Sequence, residues 1–301
     1  PLVGSVIVYD DKIIGEGWHK KSGEPHAEVN AVNSVKDKSL LKKATIYVSL
    51  EPCSHFGKTP PCADLIIDAG ISNVVIGTLD PNEKVAGNGV KKLMEAGRNV
   101  IIGILEQECI DLNKRFFTFH QKKRPYIILK WAESKDEFIA PLHKEEQKPV
   151  WITNEFSRQL VHKWRSDEDA ILVGCQTVID DNPKLTIRDW SGINPTRIVL
   201  DQNNRISKES YIFENQAMTF VLSKKEIDYS KNTTGQIVKF AFEKNLQSII
   251  IEGGAHTLQT FIDNNLWDEA RVFVGANFLG NGKKKPIFIS KLSQKTTFLE
   301  D

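Results

Sequence analysis

Residues 51–62 read EPCSHFGKTPPC, and the reading of this loop decides the fold of the first third of the chain. Two of the four cysteines stand here, Cys53 and Cys62, each directly behind a proline. Upstream, PHAEVNA at 25–31 places His26 and Glu28 at the start of a helical pattern. One imidazole and two thiolates form a ligand set for Zn²⁺ that leaves the fourth position open to water. A metal so placed lowers the pKa of that water, and a carboxylate outside the ligand set must then carry the proton onward. His26, Cys53 and Cys62 are therefore the expected metal ligands and Glu28 the expected proton carrier. His26 and Cys62 both sit at predicted helix starts, where the partial positive charge favours a thiolate. A lone cysteine is most often a small buried hydrophobe and a lone histidine a hydrogen-bonded side chain, so the combination carries the reading. A structural zinc is the sharper rival, but such sites close with four protein ligands and only three are evident. Cys109 and Cys175 are expected to be buried bystanders.

The remaining composition limits the alternatives. The chain has 301 residues, 40% apolar and 26% charged, enough for two domains with separate cores. A formal charge of +1 gives no electrostatic ground for a nucleic acid or an anionic membrane as partner. Apolar runs such as Ser248–Ile251 are far too short to cross a bilayer. Irregularly placed cysteines suggest no disulfide framework, and a reducing cytoplasm is expected. No signal-peptide pattern is visible, and since the first residue is Pro1 the natural N-terminus is expected upstream.

Periodicity predicts an α/β order throughout. Val3–Tyr9 and Ile13–Trp18 read as a hairpin turned at Asp10-Asp11. Helical patterns follow at His26–Val35, Pro61–Ala69 (ended by Gly70), Gly89–Ala96 (closed by Gly97) and Gln107–Phe119. Between them lie strands at Ala44–Leu50, Asn73–Gly77 and Asn99–Ile104. The basic stretch at 121–125 reads as a linker, with Pro125 opening a new strand. The second series has strands at Tyr126–Ala132, Ala170–Val173, Thr196–Leu200, Met218–Leu222, Ser248–Glu252 and Glu269–Gly275. Its helical patterns fall at Asn154–Arg165, Gln236–Asn245 and Ala255–Asn264. Two domains are expected, 1–122 and 123–301.

His-x-Glu followed by Pro-Cys and a second cysteine matches the signature of zinc-dependent base deaminases. The C-x8-C spacing departs from the short form of that signature. With HAE and the PC-x-H-x-G-x-TPPC loop, the chain resembles the bifunctional riboflavin-biosynthesis deaminase–reductase family over essentially its whole length. The resemblance implies a cytidine-deaminase-like α/β/α sandwich followed by a dihydrofolate-reductase-like α/β domain. It implies zinc-dependent deamination of a phosphoribosylamino-pyrimidine, then NADPH-dependent reduction of the ribosyl chain. Lys58 and His19 are expected to help hold that small-molecule substrate.

No GxGxxG follows the first strand of either domain, so a Rossmann reading lacks support. SIIIEGGAHTLQTFI at 248–262 instead gives strand, Glu252, two glycines and a helix, a turn that can admit a phosphate to the helix N-terminus. The blocks RPYIILKWAESKDEFIA, WITNEFSRQLVHKWRSDEDAILVGCQTVIDDNPKLTIR and IIIEGGAHTLQTFIDNNLWDEARVFV resemble the reductase half of the same family. That resemblance implies dinucleotide contacts at Ala132, Trp151, Thr177, Asp181 and Gln202, and along Glu252, Gly253, Gly254, Ala255, His256, Thr257 and Leu258. It implies substrate contacts at Arg165, Leu185 and Arg188, and self-association through the reductase half. Both arginines suit a ribose phosphate, since guanidinium pairs bidentately with such oxygens.

Two departures from the family pattern stand out. The Ser-Leu-Asp-Gly common in the first reductase block is here Ser134-Lys135-Asp136-Glu137, which puts the local turn in question because glutamate tolerates positive φ poorly. An N-terminal helix and closing C-terminal strands of the family are expected beyond the ends of the chain. Rival readings are a nucleoside or tRNA deaminase with an appended reductase-like domain, a binding module with structural zinc, and a chain in which only the deaminase half works.

Overall fold

The computed structural model describes residues 1–56, 60–82 and 85–288. The chain divides into two compact units, Pro1–Lys122 and Lys123–Asp301. Among the described residues no helix is long and apolar enough to cross a membrane.

The first unit runs β1 (Gly4–Tyr9), β2 (Lys12–Trp18), α1 (Ala27–Ser34), a 3₁₀ turn (Lys38–Lys43), β3 (Thr45–Leu50), α2 (Cys62–Asp68), β4 (Asn73–Thr78), α3 (Asn88–Glu95), β5 (Asn99–Ile102), α4 (Glu106–Leu112) and α5 (Lys114–Lys122). Its sheet has the order β2-β1-β3-β4-β5. β1 is antiparallel to β2 and β3, while β4 and β5 continue parallel to β3. The hairpin turns at Asp10-Asp11, whose φ values of 49° and 57° are those of a type I′ turn that matches the twist of the strands. One face of the sheet packs Ile7, Ile46, Val74 and Ile76 against Ala31 and Val32 of α1, Ile66 of α2 and Leu93 of α3. Leu50 packs separately with Phe116 and Phe117 of α5. Gly17 explains how α1 lies so close to β2: a Cβ there would stand 2.4 Å from the Ala31 nitrogen.

The single helix expected over Gln107–Phe119 is two helices. The break falls at Asn113, which is 4% exposed. Its carboxamide accepts the Leu2 N–H at 2.7 Å and donates to the Leu2 carbonyl at 2.8 Å. A buried amide must satisfy both ends, and here the partner lies 111 residues away. The expected linker at 121–125 is also corrected: α5 continues to Lys122, and Arg124 donates to Asp268 at 2.7 Å.

The second unit runs β6 (Tyr126–Glu133), β7 (Phe138–Ala140), α6 (Glu155–Asp167), β8 (Ala170–Gly174), α7 (Cys175–Asp181), β9 (Thr196–Leu200), a 3₁₀ turn (Tyr211–Phe213), β10 (Thr219–Leu222), α8 (Thr233–Glu243), β11 (Ser248–Ile251), α9 (Ala255–Asp263), β12 (Glu269–Val274) and β13 (Lys283–Lys284). A six-stranded sheet has the order β10-β9-β8-β11-β6-β12, every pairing parallel. Both faces of such a sheet are covered, which is why its strands are nearly continuous apolar runs. Ile127, Leu129 and Trp131 of β6 join one core with Leu258 and Phe261 of α9. Tyr126 and Ile128 join the other with Val178 of α7 and Leu185. The short α7 and the β7–β13 pair were not visible in the periodicity.

The Ser134–Glu137 turn forms despite its missing glycine. The Glu137 N–H reaches the Ser134 carbonyl at 3.0 Å, and Ser134 Oγ donates to Asp136. Glu137 accepts φ 68°, with its carboxylate 2.8 Å from Lys285. An exposed pair of this kind contributes little, whereas a left-handed β-carbon is a standing cost. Glu137→Gly should therefore raise the melting temperature of the second unit by about 2 °C. Calorimetry checks this, and an unchanged or lower transition would show that the Lys285 pair outweighs the backbone strain.

Candidate active sites

Two helix starts and the end of one strand converge in the first unit. His26 is the residue before α1, Cys53 follows β3, and Cys62 opens α2. His26 Nδ1 lies 3.6 Å from Cys53 Sγ and 3.3 Å from Cys62 Sγ. All three ligand atoms fall within 4.8 Å of one another, and no fourth side chain joins the group among the described residues. The loop is closed from both sides: the Cys62 N–H donates to Cys53 Sγ at 3.3 Å and the Ala63 N–H to the Cys53 carbonyl at 3.0 Å. Below it, the buried Glu51 carboxylate accepts N–H groups of Gly87 at 2.9 Å, Gly89 at 2.9 Å and Val90 at 3.2 Å. Those groups belong to the N-terminal end of α3, where the first amides lack helical partners.

The electrostatics suit a divalent ion. The Cys53 thiol is held down to about 4 because Cys62 donates to it, with the His26 hydrogen bond adding, against the opposing effect of burial. The same contact, with burial, pushes Cys62 up. Two sulfurs competing for one proton beside an imidazole are a donor set that a borderline-soft dication would satisfy. Glu28 sits in the first turn of α1, only 3% exposed. Burial, with the Cys53 charge, drives its carboxyl up to about 7, against the pull of its own backbone N–H, His26 and Cys62. Such a carboxyl changes state near neutral pH, as a proton carrier must. His19 stands edge-on to His26 with ring centroids 5.2 Å apart. Lys58 lies outside the described residues.

In the second unit a cleft opens at the C-terminal ends of β6 and β11. It is lined by Lys130, Ala132, Trp151, Thr177, Asp181, Glu252, Gly254, Ala255 and Leu258. These are nine of the nineteen residues that line it, and all of the nine but Lys130 were named from the sequence. Gly254 takes φ 59° and precedes α9, whose first turn has no side-chain cap, so its free amides are available to a phosphate. Asp181 is engaged by Lys144. Gly253 and Thr257 serve packing instead: a Cβ on Gly253 would meet Val173 at 2.6 Å, and Thr257 is buried near Gly174. His256 is exposed on α9, and Gln202 lies exposed in the turn beyond β9, neither in the cleft lining.

Arg165 and Arg188 are differently placed. Arg165, partly buried, makes a bidentate pair with Glu252, Nε–Oε1 2.8 Å and Nη2–Oε2 2.7 Å. Burial alone would push the Glu252 carboxyl up, but Arg165 and Lys130 outweigh it and hold it at about 2. The side chain of Arg188 is exposed, and Leu185 is buried beside it in the sequence. Lys130 was missed. Its Nζ stands 3.9 Å from Glu252 Oε2, and burial, with Arg165 adding, lowers its pKa against the pull of Glu252. The available signal was a lone lysine inside the apolar run YIILKWA, since buried lysines are rare. Cys109 and Cys175, expected to be buried, are both partly exposed, and Cys175 Sγ lies 2.8 Å from Arg205.

Residues 1–78 match the family model of the cytidine and deoxycytidylate deaminase zinc-binding region, and residues 125–300 that of the RibD C-terminal domain. A riboflavin biosynthesis protein RibD of Aquifex aeolicus is 40% identical over 94% of this chain and 82% of its own length. That of Escherichia coli K12 is 36% identical over 93% and 83%. A solved diaminohydroxyphosphoribosylaminopyrimidine deaminase/5-amino-6-(5-phosphoribosylamino)uracil reductase of Thermotoga maritima is 39% identical. It superposes with a TM-score of 0.84 over 98% of this chain and 86% of that one. RibD of Acinetobacter baumannii, 34% identical, gives 0.83 over 99% and 86%.

Proposed function

The chain belongs to the bifunctional riboflavin-biosynthesis deaminase–reductase family, and from that footing we propose how its two units divide the chemistry. The first unit hydrolytically removes an exocyclic amine from 2,5-diamino-6-ribosylamino-4(3H)-pyrimidinone 5′-phosphate. The second reduces the ribosyl chain of the product to ribityl with NADPH. The observation that carries the reading is the His26–Cys53–Cys62 cluster with a buried, high-pKa Glu28 beside it.

His26, Cys53 and Cys62 would hold the zinc ion. When bound, the ion supplies Lewis-acid activation of a water molecule. Glu28 takes the proton released by that water and passes it to the leaving amine. Its buried place in the first turn of α1, beside the three ligands, lets it take up and return that proton. His19, against His26, and Lys58 help hold the substrate.

In the second unit the cleft residues Ala132, Trp151, Thr177, Asp181, Gly254, Ala255 and Leu258 would hold the dinucleotide, which supplies the hydride. Lys130 supplies the proton that reduction of an open-chain sugar carbonyl requires. Its lowered pKa makes the ammonium a better acid, and Glu252 keeps it charged and aimed. Arg165, Leu185 and Arg188 form the substrate side, the arginines facing the phosphate. Self-association through this unit and a cytoplasmic setting belong to the same reading.

Mass spectrometry of the diaminopyrimidine ribosyl phosphate after incubation tests the division. Zinc-loaded protein alone should yield the deaminated compound, and NADPH should add two hydrogens to it. Stripping the metal with a chelator should stop deamination while pre-deaminated substrate is still reduced. Reduction that stops with the metal, or deamination that survives stripping, would overturn the assignment.

A further inference from the structure

The segment that carries Leu185 and Arg188 has no regular secondary structure, yet it is held in a costly conformation. Leu185 is 3% exposed and adopts φ 54°, a region a branched aliphatic side chain rarely enters. Such strain persists only where the surroundings over-determine it. Three ties do so here. The Thr186 carbonyl accepts from Arg165 at 3.2 Å, the Ile187 N–H donates to Asn194 at 2.8 Å, and the Arg188 N–H donates to His162 Nδ1 at 3.2 Å. His162 lies one turn before Arg165 on α6 and is 4% exposed. Its second nitrogen, Nε2, stands 3.3 Å from the Asp189 carboxylate.

Only one protonation state fits both contacts. Nδ1 accepts an N–H and so carries no proton, while Nε2 keeps its hydrogen for Asp189. The ring is therefore neutral. We propose that His162 is a positioning residue of the reductase unit: its neutral imidazole clamps the backbone at Arg188 beside the Asp189 carboxylate and thereby presents Arg188, with Arg165, to the substrate phosphate. This rests on the proposed reading of the second unit as the reductase of a ribosyl phosphate.

The groups that face the ring are Arg165 on the same helix, Arg188 and Asp189 on the loop, and Glu252 beyond β11. Burial and the two arginines lower the His162 pKa, against the weaker pull of the two carboxylates, which keeps the neutral form dominant at physiological pH. Protonation puts a hydrogen on Nδ1 facing the Arg188 N–H. The clamp is then broken, so the sign is a weakening of anion binding as pH falls.

The test compares native protein with His162→Leu, which removes the acceptor, and His162→Asn, whose Oδ1 replaces Nδ1 but does not titrate. Sulfate binding to the full chain is measured by calorimetry between pH 8 and pH 5.5, where sulfate stays a dianion and cannot confuse the profile. Reduction kinetics on pre-deaminated substrate are run alongside. In His162→Leu, sulfate should bind about fivefold to tenfold more weakly and the KM for reduction should rise equally, with kcat held within about twofold. His162→Asn should recover most of that loss at pH 8 and stay flat into acid, while the native protein weakens. Native-like sulfate binding by His162→Leu, or an acid loss in His162→Asn matching the native one, would overturn the proposal. A native protein that fails to reduce its substrate but shows the sulfate pattern would overturn the reductase reading and leave the clamp standing.

Discussion

Glu28→Gln should lower the deamination rate by about 10³–10⁴-fold while the protein retains its zinc and its reductase activity. Glutamine keeps the shape of the side chain and its hydrogen bonding but cannot accept and return a proton. The three ligand atoms are untouched, so zinc content by atomic emission separates lost proton transfer from lost metal. A stability readout accompanies it. Burial raises the Glu28 carboxyl from 4.5 to about 7 in the metal-free protein. A carboxyl with a raised folded-state pKa contributes fully below its unfolded value, and that contribution is lost as pH rises through the folded value. Metal-free Glu28→Gln should therefore be more stable than metal-free native protein at pH 8, by on the order of 3 kcal/mol. The difference should close as pH falls toward 4.5. Equal stability at pH 8 would mean that the site relaxes enough to hydrate the carboxylate.

That trade explains why this half of the chain was legible in its sequence. His26, Glu28, Cys53 and Cys62 are costly to place for packing alone, and each lies where a helix starts or a strand ends. A short-range motif thus carries both the chemistry and the local fold. The hairpin at Asp10-Asp11 was legible for the same reason, because its turn is built from adjacent residues. The misses all depend on distant partners. Nothing near Asn113 in the sequence announces a bond to Leu2, so an unbroken helical pattern was extended through it. His162 reads as an ordinary polar position of an amphipathic helix until Arg188 and Asp189 are folded against it. Lys130 gains meaning only beside Glu252, 122 positions further along the chain. Gln202 and His256, carried over by resemblance, are exposed and outside the cleft lining, although Ala255 and Leu258 on either side of His256 line it.

Arg197→Met should destabilise the second unit by about 3–5 kcal/mol. Arg197 is fully buried on β9, among strand residues that are otherwise apolar. Its guanidinium donates to four carbonyls: Lys184 at 3.3 Å, Tyr211 at 3.2 Å, Glu214 at 2.7 Å and Ala217 at 2.7 Å. Two of the four also accept a backbone N–H, Tyr211 from Glu214 at 3.1 Å and Glu214 from Gln216 at 2.7 Å, so the Lys184 and Ala217 carbonyls lean most on the guanidinium. Methionine matches the side chain's length and apolar stem but removes every donor, and the Lys184 and Ala217 carbonyls then bear the largest desolvation cost. Lysine keeps the charge, yet a single ammonium cannot span the fork of four acceptors, so Arg197→Lys should fall between the two. Lys184 immediately precedes the strained Leu185, so the loss should reach the reductase site before global unfolding. Urea denaturation of native, Met and Lys forms measures the order, and reduction assayed below the unfolding transition measures the local effect. Should the Met form unfold at the native urea concentration, water must enter the space left by the guanidinium and satisfy the carbonyls. The buried arginine would then owe its place to something other than the tie it makes between these loops.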